Sequence, residues 1–346
     1  MAQIQDWQSL GKLDPEWEEA VKVAGGSPDL GAFPDIQTLQ NFMLAAKANQ
    51  NSSAGAGSLP GVSEKDHQVE MRDGHKIAVR TYHPESPPAS GSPLSVVYHG
   101  GGWCLGDLSV EELLCRLLAS KLGMTVANID YRLAPEWKFP YAINDCYDAT
   151  KWASQVAANA STLGADPSQG FIIGGTSAGG NIACAISHLW RDNKDSPPVT
   201  GAHLMIPAVC DASHFPEELK ADHKSWDDLE LAPILSRKAC DLFMGNYIPK
   251  VEDRGDPLFA PLLWPTGHKN LPPQYFQIDG ADPLRDEALI YERILREKEG
   301  VTTKVDVYPG QPHGFNSIFP QMKASKKWHE DSVQGVKWLL EQNWKP

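Results

Sequence analysis

No stretch of this 346-residue chain approaches the ~18 consecutive apolar residues that a membrane-spanning helix requires. The N-terminus, Met1-Ala2-Gln3-Ile4-Gln5-Asp6, lacks a basic segment followed by an apolar core and does not read as a secretory signal. Lysine and arginine never cluster, and the net charge is −13. A phosphate-binding face needs the opposite sign, so nucleic acid is excluded as a partner. Cysteine is sparse and scattered: Cys104, Cys115, Cys146, Cys184, Cys210 and Cys240 form no C-x-x-C pair and no zinc-like cluster. Several fall on apolar helix patterns, as buried free thiols do. Together these absences set the expectation of a cytoplasmic protein with no membrane span and no metal.

What the chain does contain changes character along its length. Residues 1 to about 50 place Trp7, Leu10, Leu13, Trp17 and Val21, then Ile36, Leu39, Phe42, Met43 and Ala46, at helical spacing. Two amphipathic helices that need a partner surface are predicted there. Asn, Ser, Gly and Ala then dominate residues 49–61, a linker composition. From Gln68 the pattern alternates through Val69, Met71, Ile77, Val79 and Thr81, broken by Asp73-Gly74, a hairpin signal. Buried-type apolar runs follow at 94–98, 125–130, 171–174, 203–206, 275–279 and 304–308. Helical patterns separate most of them, at 110–122, 141–159, 178–192, 286–299 and 325–342. Strand and helix in alternation predict a mainly parallel sheet covered on both faces, eight strands with the leading hairpin.

The alternation is interrupted between about 210 and 255, where Phe215, Trp226, Leu229, Leu231, Phe243, Met244 and Tyr247 sit among charges at helical spacing. An insertion here lies beyond the carboxyl ends of the strands, where ligands bind in open α/β sheets. The domain expectation is therefore threefold. Residues 1–60 form the N-terminal part of a helical cap and a linker; 61–209 and 256–346 form the catalytic domain; 210–255 form an inserted cap segment.

Four motifs carry chemistry. Gly175-Thr176-Ser177-Ala178-Gly179 follows an apolar strand and opens a helix, a G-x-S-x-G turn too tight for flanking side chains, with the serine hydroxyl pushed outward. Ala178 starts the helix, so its N–H is free to meet a developing oxyanion. His99-Gly100-Gly101-Gly102-Trp103 follows the strand 94–98, and its bare backbone makes Gly101 and Gly102 the expected oxyanion donors beside Ala178. His99 reads as the residue that fixes this loop, and Trp103 as a candidate pocket wall or ordinary packing under the cap. Asp282 and His313 stand in loops after predicted strands, and Ser177, Asp282, His313 is the chain order of an α/β-hydrolase triad. Asp279 and Asp286 compete with Asp282, but the first belongs to the strand and the second to a helix start, as a cap.

The chain resembles the hormone-sensitive-lipase-like family of α/β-hydrolase carboxylesterases, which includes arylacetamide deacetylases. The resemblance rests on His99-Gly-Gly-Gly102, Tyr131-Arg-Leu-Ala-Pro-Glu136 with Phe139-Pro140, Gly175-Thr-Ser-Ala-Gly-Gly180-Asn181, Asp282-Pro-Leu-Arg-Asp-Glu287 and His313-Gly-Phe315, in order over residues 99 to 315. It implies an α/β-hydrolase fold with a helical cap, a Ser177-Asp282-His313 triad, oxyanion donors Gly101, Gly102 and Ala178, and ester hydrolysis without cofactor. It also implies a structural role for Tyr131, Arg132 and Asp145. Thr176 stands where many members have Asp, which changes local hydrogen bonding rather than the expected reaction.

The expected activity is hydrolysis of short- to medium-chain or small-metabolite esters through an acyl-enzyme. Two alternatives remain. One is an amide, formamide or lactone hydrolase of the same fold; the other is a non-catalytic receptor for a small ligand, as in the related gibberellin receptors, which have lost the histidine retained here as His313. The last strand, near 304–308, is open to pairing with a copy of itself in a homodimer.

Overall fold

Eight strands build one sheet: β1 (Val62–Glu70), β2 (Lys76–Pro84), β3 (Leu94–Tyr98), β4 (Thr125–Asp130), β5 (Phe171–Thr176), β6 (Gly201–Met205), β7 (Gln274–Asp279) and β8 (Thr303–Tyr308). Their spatial order is β1-β2-β4-β3-β5-β6-β7-β8. The computed structural model describes residues 6–51, 59–159 and 161–345, so most of the expected linker lies outside the described residues. β1 and β2 pair antiparallel with Val69 opposite Ile77, closed by a turn in which Gly74 takes φ +82. β2 also runs antiparallel to β4, and every later pairing is parallel. The parallel strands β3, β6 and β7 are buried along their whole length, which is why they read as mainly apolar runs, with His203, Gln274, Gln277 and Asp279 as buried polar exceptions.

The helices are α1 (Pro15–Ala24), α2 (Ile36–Asn51), α3 (Glu112–Leu122), α4 (Tyr141–Val156), α5 (Ala178–Asp192), α6 (Ser225–Asp228), α7 (Arg237–Tyr247), α8 (Arg285–Arg293), α9 (Phe315–Ile318) and α10 (Lys323–Glu341). Leu114, Leu118, Trp328 and Val336 of α3 and α10 share one core with Val97, Val126 and Tyr275. Ile143, Cys146, Ile182, Ile186 and Tyr291 of α4, α5 and α8 build the other with Val96, Ile173 and Phe276. The sheet is thus covered on both faces, as the alternation predicts.

Three element expectations need correction. The helix expected over Trp7–Val21 divides into a 3₁₀ turn at Gln8–Gly11 and α1. Pro15 has no N–H to continue a helix and instead occupies its first turn, where the Asp14 carboxylate accepts from Glu16 N at 2.7 Å. The helix expected over 286–299 gives way at Ile294 to a wider π-type turn through Lys298. Between 210 and 255 the helical spacing yields one helix longer than a single turn, α7; Pro216 and Pro233 interrupt the rest.

The described residues of the leading segment pack against three regions. Leu30 N donates to Ile234 O at 2.9 Å, and Ile234 N to Pro28 O at 2.7 Å, joining them to the 210–255 segment. Gln40 Nε2 donates to Cys104 O at 2.9 Å and Ala134 O at 3.2 Å, and Lys47 pairs with Asp107, so α2 lies on the loop after β3. Gly310 N donates to Leu10 O at 2.8 Å, which ties the leading 3₁₀ turn to the loop after β8.

Candidate active site

β5 delivers its chain into a turn where Ser177 takes φ 56 and ψ −114. For a side chain other than glycine this conformation is strained, and the surrounding contacts enforce it. A Cβ on Gly175 would stand 2.5 Å from Tyr98 O, and one on Gly179 would stand 2.0 Å from the same oxygen. Both glycines are therefore required for β5 and α5 to approach β3 at the elbow. Ser177 N donates to Met205 O at 2.8 Å, which holds the turn to β6.

The hydroxyl so presented meets His313. Its Nε2 lies 2.8 Å from Ser177 Oγ, and its Nδ1 lies 2.6 Å from Asp282 Oδ2. Asp282 is buried, and its Oδ1 accepts from Leu284 N at 2.9 Å, so both oxygens are fixed. The three sequence-predicted residues are brought together from the ends of β5, β7 and β8. A carboxylate on Nδ1 sets the tautomer that leaves Nε2 free to accept the hydroxyl proton.

Beside them, Gly101 takes φ +125 and Gly102 φ +58. A Cβ on Gly101 would fall 2.2 Å from Leu105 O, and one on Gly102 2.4 Å from the Phe243 ring. Among the described residues, the N–H groups of Gly101, Gly102 and Ala178 donate to no backbone carbonyl. His99 is buried, stacks on Tyr131 with ring centroids 4.1 Å apart, and is pushed down to about 4 by burial. Neutral, and bonded through Nδ1 to Gly100 O at 2.8 Å, it shapes the loop and takes no proton.

Ser177, His313 and Gly100–Gly102 line a cavity of about 260 Å³ whose walls are overwhelmingly apolar. Ile206, Phe243, Met244 and Phe259 border it, with Met43, Val110 and Ile318 at partly exposed positions. Trp103 borders it too, yet most of its ring is committed to packing: it stacks on Tyr247 at 4.9 Å and tilts against Phe259 at 5.2 Å. Trp103 thus both borders the cavity and packs on Tyr247 and Phe259.

A family model for the alpha/beta hydrolase fold matches residues 95–317, a span enclosing every motif from His99 to Phe315. The chain belongs to the α/β-hydrolase family, in its hormone-sensitive-lipase-like branch. An AB hydrolase superfamily protein of Schizosaccharomyces pombe is 42% identical over 334 residues, 96% of this chain and 95% of that protein. The versiconal hemiacetal acetate esterase of Dothistroma septosporum is 38% identical over 272 residues, 78% of this chain and 79% of its own. Among solved structures, that of vibralactone cyclase matches with a TM-score of 0.85 at 33% identity, over 97% of both chains.

The competing acids of this α/β-hydrolase have other partners. Asp279 accepts from Gly314 N at 3.0 Å; burial, reinforced by nearby Asp282, holds its carboxyl well above the usual range. Asp286 does not cap its own helix, as its position had suggested. It accepts from Lys224 N and Ser225 N at 2.8 and 2.6 Å and pairs with Arg285, so it ties α6 to α8. Arg132 pairs with buried Asp145 at 2.6 Å and with Asp73 at 2.7 Å, and its guanidinium lies over the Trp137 and Tyr141 rings.

Two cavity residues escape sequence reasoning. Glu287 is buried, accepts from Val209 N at 2.6 Å, and is pushed well above the usual carboxyl range by burial. Its signal was present, since Leu284, Glu287, Ala288 and Tyr291 share one helical face. Glu111 also borders the cavity, and burial pushes its carboxyl up to about 7. The same spacing marks it, since Glu111, Leu114, Cys115 and Leu118 share one helical face while Glu112 falls with Arg116.

Proposed function

We propose that this chain is a serine carboxylesterase acting on uncharged esters with short- to medium-chain acyl groups. Ser177 attacks the ester carbonyl while His313 takes its proton. The N–H groups of Gly101, Gly102 and Ala178 hold the oxyanion, and Asp282 orients His313 and stabilises its cation. His313 then protonates the leaving alcohol, and water, activated by the same imidazole, releases the acid from Ser177. The observation that carries this reading is the unbroken Ser177-His313-Asp282 chain, at 2.8 and 2.6 Å, opening on an apolar cavity.

The size of that cavity favours small substrates: about 260 Å³ is below the roughly 300–1,000 Å³ of sites for drug-sized ligands. The acetate in the name of the Dothistroma relative agrees with a short acyl group. Residues 1–60 and 210–255 act as the cap that sets this size over a catalytic domain of 61–209 and 256–346. The open edge of β8 suits a homodimer, which light scattering reads directly.

The test is hydrolysis of p-nitrophenyl esters from acetate to laurate by the wild type and by Ser177→Ala. Turnover peaking at a short chain and lost in the variant is expected; undiminished turnover by Ser177→Ala contradicts the assignment. A second reading, lactone chemistry, draws on the match to vibralactone cyclase. In it the acyl group on Ser177 is exchanged with a hydroxyl of the same substrate rather than with water. A lactone series assayed alongside the esters separates the two.

A further inference from the structure

Among the described residues no lysine or arginine borders the cavity that holds Ser177 and His313, yet acids do. Glu287 is the most deeply buried of them, with 2% of its surface exposed. It stands in the first turn of α8, in the same segment that carries Asp282. Its two oxygens have different surroundings. Oε1 accepts from Val209 N at 2.6 Å and from Cys210 N at 3.4 Å, and so holds the chain that leaves β6. Oε2 has no hydrogen-bond partner among the described residues; His223 Nε2 stands 3.9 Å away, beyond bonding distance. Nor is it sealed into the protein as the orphaned His223 Nε2 is, and it opens on the cavity that Glu287 borders.

A purely structural role would use half of this side chain. The bond to Val209 N needs one acceptor oxygen, and a polar atom left open in an apolar wall is costly unless something occupies it. No lysine or arginine among the described residues pairs with Glu287, and burial pushes the His223 imidazole down, so that ring stays neutral. Burial likewise holds the Glu287 carboxyl well above its usual range and favours the neutral acid. Oε1 then serves as the carbonyl that takes the backbone N–H groups, and Oε2 carries the proton. Such an O–H both donates and accepts, and a hydroxyl group matches both capacities. The other polar side chains of the wall are engaged or loose. Asp211 accepts from Ser213 N at 2.8 Å and pairs with Arg254 at 3.5 Å, and Thr176 Oγ1 is directed at Met205 Sδ, 3.7 Å away. Glu111 has no hydrogen bond among the described residues to fix its carboxyl, whereas Oε1 holds that of Glu287 in place for a ligand.

We propose that Glu287 Oε2 is a substrate-recognition group that hydrogen-bonds an uncharged hydroxyl on the ester held at Ser177. The preferred substrates are then short hydroxylated esters rather than plain aliphatic ones. The surrounding wall is built for one fixed contact: Leu284, Ala208 and Phe259 beside it are apolar. Asn181 Nδ2 donates to Ala208 O at 3.0 Å and to Phe259 O at 2.7 Å, so the backbone there is held as well. A substrate hydroxyl therefore finds a defined partner in an otherwise dry site. The inference rests on the esterase reading above.

Its test is kcat/KM for matched ester pairs, followed by pH-stat. Ethyl 3-hydroxybutyrate and ethyl 6-hydroxyhexanoate are set against ethyl butyrate and ethyl hexanoate, and the monoacetates of 1,4-butanediol and 1,6-hexanediol against butyl and hexyl acetate. The first set carries the hydroxyl on the acyl side and the second on the alcohol side. The wild type is expected to favour the hydroxylated member of one set by about 5- to 20-fold, the worth of one hydrogen bond in a dry site. Glu287→Leu is expected to bring that ratio down to about one. Glu287→Gln keeps an oxygen on Val209 N and puts an N–H where Oε2 stood, so it is expected to hold the ratio within about threefold of wild type. A merely structural role lowers both members of a pair alike and leaves the ratio unmoved. Folding of each variant is checked by circular dichroism; should Glu287→Leu not fold, Glu287→Asp withdraws the carboxyl by one methylene and is expected to lower the same ratio. A wild-type preference below about twofold in every pair overturns the assignment. So does a preference that survives Glu287→Leu or, where that variant does not fold, Glu287→Asp, or a loss in Glu287→Gln as large as in Glu287→Leu. A wild type inactive on every ester, or an active Ser177→Ala, instead contradicts the esterase reading and is recognised as such.

Discussion

Ser177 holds a backbone conformation that costs on the order of 1–3 kcal/mol, and the glycines two residues to either side explain how it is sustained. With no Cβ at 175 or 179, Tyr98 O closes over the turn and the hydroxyl is directed at His313. Gly102 is under equal constraint, at φ +58 with the Phe243 ring 2.4 Å from a would-be Cβ. Gly102→Ala should therefore displace an oxyanion donor and lower kcat by about 10²–10³, as measured in the ester assay, with a lower melting temperature. Glu111 carries a pH signature. Its carboxyl is raised from 4.5 to about 7 in the folded chain, so the native state binds the extra proton between those values. Its contribution to stability is whole below pH 4.5 and is lost as pH rises through about 7. Denaturation of wild type and Glu111→Gln across that window should show the wild type losing on the order of 3 kcal/mol relative to the variant. The proposed triad was legible because each member follows a strand in a fixed chain order; Glu111 was legible only as a place on the apolar face of α3, with Leu114, Cys115 and Leu118, and not as an acid beside the cavity.

At the scale of elements, the segment after β4 shows how a loop is made rigid enough to support a site. Arg132 lies over both the Trp137 and Tyr141 rings, 4.6 and 4.7 Å from their centroids, and is paired with the buried Asp145 of α4. Removing Asp145 takes away the buried partner and leaves Arg132 only the partly exposed Asp73. Asp145→Ala should destabilise the protein by about 3–5 kcal/mol in urea denaturation; a change under about 1 kcal/mol would remove the buttress from the account. Strand positions were legible here to within about two residues because β3 to β7 are largely buried and rich in apolar side chains, although Asn128, His203, Gln274 and Gln277 interrupt them. The ends of helices were less so. Pro15 marked the start of α1, but the pattern from Trp7 to Val21 keeps its helical period across that break. Hydrophobic spacing records which side chains face the core and not whether the backbone between them is continuous.

At the scale of the molecule, the proposed catalytic groups come from the ends of sheet strands, while the walls of the cavity come largely from elsewhere. Met43 belongs to α2, Phe243 and Met244 to α7. The first fifty residues and the 210–255 segment meet at Asp29 and Ile234, which pair as an isolated bridge. This arrangement lets substrate size vary without touching the triad. Phe243→Ala should enlarge the cavity and move the preferred p-nitrophenyl ester toward longer acyl chains, with the preference for acetate reduced; an unchanged chain-length profile would mean that α7 does not limit the acyl group. The sequence signalled an insertion at this place by aromatic side chains among charges. It was silent on the irregular path between them, because Pro216, Pro233 and short 3₁₀ turns follow contacts with the rest of the molecule rather than any local period.

The central claim is that Ser177 carries the acyl group, and peptide mass spectrometry after rapid quenching with a slowly deacylating p-nitrophenyl ester tests it most directly. The account predicts one acyl adduct, on the peptide containing Ser177, formed together with a burst of p-nitrophenol, and neither in Ser177→Ala. Ester turnover with no adduct on that peptide, or with the label on another residue, would contradict it.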